Sequence, residues 1–369
     1  MYNRERFQLR PESGDGLVLN LQNVFDDYRQ TMPQARPAFL EQVVEAWISV
    51  HRRKILEDFA EARRNLLPVV RPKTYAGLVA LQSQIDGTDA PEIPCAALND
   101  ELILGVVYQM PGAARIVTAD LLDGWNVTLY ETLEVARKNL VDRGKPPFSS
   151  PIRRLYVCDA GDSYDATRIA CRHLIALLPV EGEHVVMAPN RDMLLVSGTH
   201  EPAALVVMAM LADHGLDDAR HISGVAFRLA NDELIPWLPE QTDELYAKFQ
   251  RLRLKSAANH YADQGVLLQQ LHAQTGENAE IAEFDVIEVD EKGPFSRCVW
   301  KQGLSQLLPK TEKIVFETRA GNRLGTTTWN DAAVLVPELR APMNIFPERY
   351  RVEHFPSPDC LELLASPDS

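Results

Sequence analysis

A chain of 369 residues, 46% hydrophobic and 24% charged, has the balance of a globular protein long enough for two or three domains. Its formal net charge of −14 disfavours extended contact with nucleic-acid phosphate or an anionic membrane surface. Five cysteines, odd in number and widely spaced, include no CxxC and no Cys/His pair of zinc-ligand spacing; they suit a reducing, cytoplasmic compartment.

In chain order, the opening Met1-Tyr-Asn-Arg-Glu-Arg6 lacks the apolar core of a signal peptide. Phe7–Arg10, a Glu-Ser-Gly-Asp-Gly turn and Leu17–Leu21 predict a hairpin, followed by a helix over Val24–Tyr28. A long helix is expected from about Ala38 to Asn65, with Phe39, Val43, Trp47, Val50 and Phe59 near helical period. Leu66–Pro72 reads as a strand. Leu102–Gln109, a Met-Pro-Gly turn and Ala114–Ala119 predict a second hairpin. The helix after it, Thr128–Leu140, buries Leu129, Leu133, Ala136 and Leu140 and pairs Glu134 with Lys138 outside.

Asp142–Pro151 holds three prolines and a glycine and is the expected first domain boundary. Strand Leu155–Cys158 follows. A third hairpin, His184–Ala188 and Met193–Val196, turns at Pro189-Asn-Arg-Asp192 and leads into a helix over Glu201–His214, with Thr199 as its cap. The most apolar run, Ala203–Ala212, is far short of the ~20 residues that span a bilayer. Helices over Thr242–Gln274 end near a second boundary at Gly276. Ile281–Val289, Arg297–Lys301, Lys313–Thr318 and Arg323–Trp329 read as strands, and the end from Phe355 as a frayed or extended tail.

The expected fold class is therefore α+β: repeated β-hairpin–helix (ββα) units forming mixed sheets packed by helices, with a C-terminal mostly-β segment. The expected domains are an N-terminal α+β unit over 1–145, a central α+β unit over 152–275, a small β-rich unit over 280–355, and a tail over 356–369.

Two motifs place specific polar chemistry beside core-forming residues. In Leu155-Tyr-Val-Cys-Asp-Ala-Gly-Asp-Ser-Tyr-Asp-Ala-Thr-Arg168, three aspartates fall three residues apart around a glycine. The plain reading is helix capping, with Asp162 at the N-cap and Asp165 three residues on. The functional alternative is a divalent cation held by carboxylates, although the spacing fits no EF-hand loop. Gly161 is expected at a positive φ or where the backbone is closely approached. In Pro189-Asn-Arg-Asp192, Asn190 and Asp192 suit a turn, while the Arg191 fork suits a carboxylate or phosphate. Its simplest partner is Asp159, Asp162 or Asp165, if the third hairpin pairs beside Leu155–Cys158. Ser197-Gly-Thr-His-Glu201 is neither a zincin helix nor a nucleophile elbow, because the second His and the G-x-S-x-G frame are missing. The five tryptophans are scattered singly and suit core filling better than base stacking.

Leu67-Pro-Val-Val-Arg-Pro72, Asn139-Leu140, Gly161–Arg168 and Pro189–Leu195 resemble the YtpQ-like family of bacterial proteins, a domain of unknown function (1444). The likeness covers roughly Leu66 to Glu240, and Ile93–Gln109 departs from the family's acidic and tyrosine pattern. The resemblance implies a cytosolic bacterial protein and imports no reaction. Asp159, Asp162, Tyr164, Asp165, Arg168, Asn190, Arg191 and Asp192 form the candidate binding surface. No catalytic residue, metal ligand or cofactor is assigned. The expected function is a non-catalytic binding or adaptor protein whose partner is another protein or a small ligand. The alternative is a metal- or phosphate-dependent enzyme using Asp159, Asp162, Asp165, Arg191 and Asp192.

Overall fold

The computed structural model describes residues 2–3, 8–9, 19–52, 55–110, 113–144, 148–289 and 293–364. The expected turns at 12–16 and 111–112, part of the 142–151 stretch, and the last five residues lie outside these. The fold is α+β, and among the described residues no helix is long and apolar enough to cross a membrane.

Short strands β1 (Tyr2–Asn3), β2 (Gln8–Leu9) and β3 (Leu19–Asn20) form a small antiparallel sheet, followed by α1 (Leu21–Gln30). The long helix expected over 38–65 is instead α2 (Arg36–Arg52) and a separate short α3 (Phe59–Ala62). Tertiary contacts interrupt it: Ile55 is buried, the Leu56 carbonyl accepts the Trp125 indole N–H at 2.9 Å, and Asp58 caps α3 through the Ala60 N–H at 2.7 Å. Strand β4 (Leu66–Pro72) leads to α4 (Tyr75–Asp86), then β5 (Ala96–Ala97), β6 (Leu102–Met110) and β7 (Ala113–Ile116). β6 is the centre of this sheet, antiparallel to β4 on one side and to β5 and β7 on the other.

Helices α5 (Ala119–Trp125) and α6 (Leu129–Asp142) follow. Thr128 and Glu131 close a reciprocal capping box at the start of α6. Glu134 pairs with Arg137 at 3.2 Å rather than with Lys138. Asn139 donates to the carbonyls of Arg63 and Leu66, both at 2.8 Å, and so ties α6 to the start of β4.

The second sheet takes β8 (Phe148–Ile152), β9 (Leu155–Cys158), β10 (His184–Met187), β11 (Leu194–Gly198), β12 (Ala226–Ala230) and β13 (Glu233–Trp237). Their order is β13-β12-β10-β11-β9-β8, antiparallel throughout. Pro151 is accommodated because β8 lies at the edge. Both faces of this sheet are covered. Cys158, Val186, Leu194, Val196 and Phe227 belong to one apolar cluster; Leu155, Val185, Met187, Leu195 and Ala226 belong to another. Burial on both sides explains strands that are apolar throughout rather than alternating. Between β9 and β10 runs the short α7 (Arg172–Ile175). Helix α8 (Pro202–Gly215) starts with Pro202 after Glu201. Thr199 is not its cap, because its hydroxyl accepts the Glu183 N–H at 3.0 Å.

Helix α9 (Tyr246–Thr275) packs against α4 and α8 and against the C-terminal strands, and ends at Gly276 with φ +74°. The C-terminal part holds two sheets. In one, β14 (Glu280–Ile281) and β17 (Gln306–Pro309) pair in parallel and β20 (Arg349–Val352) joins antiparallel. In the other, β15 (Asp285–Ile287), β16 (Phe295–Lys301), β18 (Lys313–Glu317) and β19 (Arg323–Thr328) lie in that order, with β16 and β18 parallel. Helix α10 (Trp329–Leu335) covers them. The expected tail contains α11 (Pro358–Leu364), whose Leu364 is 5% exposed within the C-terminal core. The short amphipathic helix is held by packing that a seven-residue periodicity cannot reveal.

β2 and β3, β6 and β7, and β10 and β11 pair antiparallel, each pair in a different sheet. The largest apolar cluster joins Leu66, Leu104 and Leu133 to Cys158, Val186 and Phe227, and so draws on both sides of the 142–151 stretch. A smaller one joins Leu81 and Leu268 to Ala279 and Leu307 across Gly276.

Candidate functional site

β9 ends at Cys158, and the chain turns sharply before a 3₁₀ turn at Ala166–Ala170. Gly161 has φ +65°, as expected, and Ser163 shares that left-handed conformation. The turn replaces the expected helix start, and Asp162 is not an N-cap. Its Oδ1 accepts the Tyr164 N–H at 3.0 Å, closing an Asx turn. Its two oxygens also take both arms of the Arg168 guanidinium, at 2.9 and 2.8 Å. Arg143 approaches the same carboxylate at 3.7 Å. The Arg168 hydrogen bond is the main cause holding the Asp162 carboxyl below its ordinary pKa.

Asp165 does not cap a helix either. Its buried carboxylate accepts the Ala160 N–H at 2.7 Å and the Cys158 thiol at 3.2 Å, pinning the turn back onto the end of β9. Burial raises the Asp165 pKa, and burial with this carboxylate neighbour pushes the Cys158 thiol up to about 12. Arg168 is 5% exposed and also lies 3.8 Å from Asp165. Thr167 accepts the Val70 N–H at 3.2 Å, joining the motif to β4. Asp159 is exposed and takes no part in this network.

The second motif turns between β10 and β11. Because β11 pairs with β9 in the register Leu194↔Cys158, the two motifs become neighbours. The Ala166 N–H donates to the Arg191 carbonyl at 3.2 Å. Asn190 accepts the Asp192 N–H at 3.0 Å and donates to the Gly215 carbonyl at 3.2 Å, a turn device as its residue type suggests. Arg191, however, does not pair with Asp159, Asp162 or Asp165. Its forked bonds go to Asp192, at 3.1 and 3.3 Å, and Arg220 lies 3.9 Å from the same carboxylate. The expected cross-motif ion pair fails because Arg168, six residues along the same segment, already holds Asp162.

What the motifs share is a cleft of about 500 Å³. Asp162, Ser163, Tyr164 and Arg191 line it together with Arg71 and Gln109, and Phe39, Val43 and Ala46 of α2 form an apolar wall. The Tyr164 hydroxyl donates to Gln109, and the Arg143 guanidinium lies 5.3 Å from the centre of the Tyr164 ring. Burial raises the Tyr164 pKa. Arg71 was missed by sequence reasoning, although an arginine inside the apolar Leu66–Pro72 strand was a visible signal. Its Nη1 donates to its neighbour's carbonyl at 3.2 Å, and the guanidinium lies 5.5 Å from the Tyr75 ring centre. Among the described residues it has no carboxylate within ion-pairing distance. Burial lowers its pKa, Tyr75 opposes the shift, and Arg191 adds to it.

Elsewhere, among the described residues, His221, His260 and Asp263 form one group that could hold a metal ion. Comparison with protein families, with characterised proteins and with solved structures finds no match to this chain.

Proposed function

We propose that the protein is a non-catalytic binding protein and that the cleft beneath α2 receives a small anionic ligand bearing a carboxylate or phosphate. The carrying observation is the pair of guanidinium groups, Arg71 and Arg191, facing one cleft, with Arg71 partly buried and without a carboxylate partner among the described residues. A partly buried cation without a carboxylate partner is unfavourable until an anion joins it, and Arg191, whose fork already holds Asp192, adds positive charge beside Arg71. Arginine forks recognise carboxylate and phosphate oxygens in two-point geometry. The apolar wall of Phe39, Val43 and Ala46 suits the carbon skeleton of such a ligand.

The enzyme alternative, built on Asp159, Asp162, Asp165, Arg191 and Asp192, has less support. Asp162 and Asp165 are engaged by Arg168, Ala160 and Cys158, and burial moves the Tyr164 hydroxyl and Cys158 thiol further from ionising. A YtpQ-like relationship and a ββα repeat are both compatible with this proposal, since neither brings a reaction with it.

Calorimetric titration with inorganic phosphate and with succinate tests the proposal. At least one of the two should bind, and Arg71→Met and Arg191→Met should each weaken it at least about tenfold, the loss of one charge-assisted hydrogen bond. Absence of binding by both anions, or equal affinity in the variants, would overturn it.

A further inference from the structure

We propose that His221, His260 and Asp263 form a site for a divalent ion of the zinc class, which clamps α9 to the segment joining α8 and β12. One ligand atom from each residue lies within 4.8 Å of the others. The His221 Nε2 and Asp263 Oδ2 atoms are 3.0 Å apart, a direct hydrogen bond that opens to about 3.4 Å when both atoms, ~2.1 Å from one ion, bind it tetrahedrally. The two imidazole rings lie with centroids 4.9 Å apart, tilted by 46°.

Three observations favour an ion over a simple hydrogen-bonded cluster. First, the His221 side chain is 9% exposed, and its Nδ1 is buried without a hydrogen-bond partner. A buried imidazole nitrogen left alone costs free energy that a cation bound at Nδ1 itself would recover. Second, the His260 Nε2–H donates to the Ile222 carbonyl at 3.1 Å, so the lone pair lies on Nδ1, where Thr74 Oγ1 is the nearest partner at a marginal 3.5 Å. An imidazole whose far nitrogen donates to a carbonyl is the usual outer-shell arrangement of a metal-bound histidine. His221 offers the same choice. It can bind through Nε2 beside Asp263, or through the orphaned Nδ1 with Nε2–H left on the carboxylate.

Third, the donors are held in place before any ion arrives. His260 and Asp263 are three residues apart on α9 and share one face. Asn259 donates to the Leu216 carbonyl at 2.8 Å, and Lys255 pairs with Asp213 and Asp217 at 2.9 and 2.7 Å, fastening α9 to the end of α8. His221 sits opposite Asn190 in an isolated bridge, and the Ile222 N–H donates to the Pro189 carbonyl at 2.8 Å. Asp263 is half exposed, which leaves a path for the ion and room for water as a further ligand. Two imidazoles and one carboxylate select zinc, cobalt or nickel over magnesium and calcium, which prefer all-oxygen shells. Through His221 and Asn190, the ion would also stiffen the Pro189–Asp192 turn that carries Arg191.

The test uses the full chain, stripped with chelator and titrated with Zn²⁺ by calorimetry and with Co²⁺ by visible absorption. One equivalent should bind, and Zn²⁺ should raise the Tm while Mg²⁺ leaves it unchanged. His221→Ala and Asp263→Asn should each weaken Zn²⁺ binding at least about tenfold, the minimum for losing even an outer-shell partner. Asp263 is half exposed, so Asp263→Asn keeps the fold, checked by circular dichroism, and separates loss of the site from unfolding. Wild-type Zn²⁺ affinity in both variants, no Zn²⁺ binding at all, or an equal Tm rise with Mg²⁺ would overturn the assignment.

Discussion

Asp162 shows how one side chain can serve a turn and an ion pair together. Its carboxylate closes the Asx turn to Tyr164 and satisfies the fork of Arg168, a cation that is 5% exposed. Replacing it with Asn keeps the turn and removes the carboxylate that takes both arms of that guanidinium, leaving Asp165 at 3.8 Å as its nearest carboxylate, so Asp162→Asn should cost about 2 kcal/mol in urea unfolding at neutral pH. The pH dependence has a definite sign. The folded pKa of Asp162 lies below the unfolded value of ~3.9, so its stabilising contribution is complete above that value and is lost as the pH falls through the folded pKa. The difference between wild type and Asp162→Asn should therefore shrink towards zero in acid. Asp165, whose pKa is raised chiefly by burial and further by the Asp162 charge, contributes in the opposite sense, and removing that charge in Asp162→Asn lessens its shift. A difference that persists unchanged in strong acid would show that the Arg168 pair is not its source.

At the scale of elements, local chemistry and packing divide the control. The capping box of α6 and Gly276 after α9 are local signals, and the structure uses both. Elsewhere packing overrides the local pattern. The periodicity over 38–65 continues through Ile55–Asp58, but Trp125 takes the Leu56 carbonyl and the helix stops short. Helix α11 is the opposite case, an element without a strong pattern that exists because Leu364 and its neighbours fill the C-terminal core. Leu364→Ala should lower stability by about 2 kcal/mol, the low end for a buried leucine near a chain end. An unchanged urea midpoint would show that α11 contributes nothing to that core.

For the whole molecule, the decisive feature is a shared core. The sheet around β6 and the sheet around β10 contribute to the same apolar cluster, and α9 joins that body to the C-terminal sheets. Residues 55–144 and 148–237 should therefore unfold together. Hydrogen exchange followed by mass spectrometry in increasing urea should show β4, β6, β10 and β12 losing protection in one transition. Two separated transitions would mean that the proline-rich stretch at 142–151 divides independent domains.

The sequence by itself determined the α+β class, the hairpin at Pro189–Asp192, a special backbone position at Gly161 and the central strands β4, β6, β9, β10 and β11, while β5, β8, β12 and β13 went unread. The legible features follow from turn residues and apolar runs within ten or so positions of one another, where backbone sterics and burial act directly. It also pointed to both polar motifs, because charged and amide residues beside apolar strands are costly without a purpose. Only the tertiary structure decided what those residues do. Arg168, not Arg191, holds Asp162, because a 3₁₀ turn places it on the carboxylate where a helix would have turned it elsewhere. Arg71 joins Arg191 because β4, more than a hundred residues earlier, lies beside the 3₁₀ turn through the Val70–Thr167 bond. His221 meets Asp263 because α9 returns along the end of α8. Such meetings depend on strand order and helix packing between distant segments, and a pattern read along the chain carries no register for them.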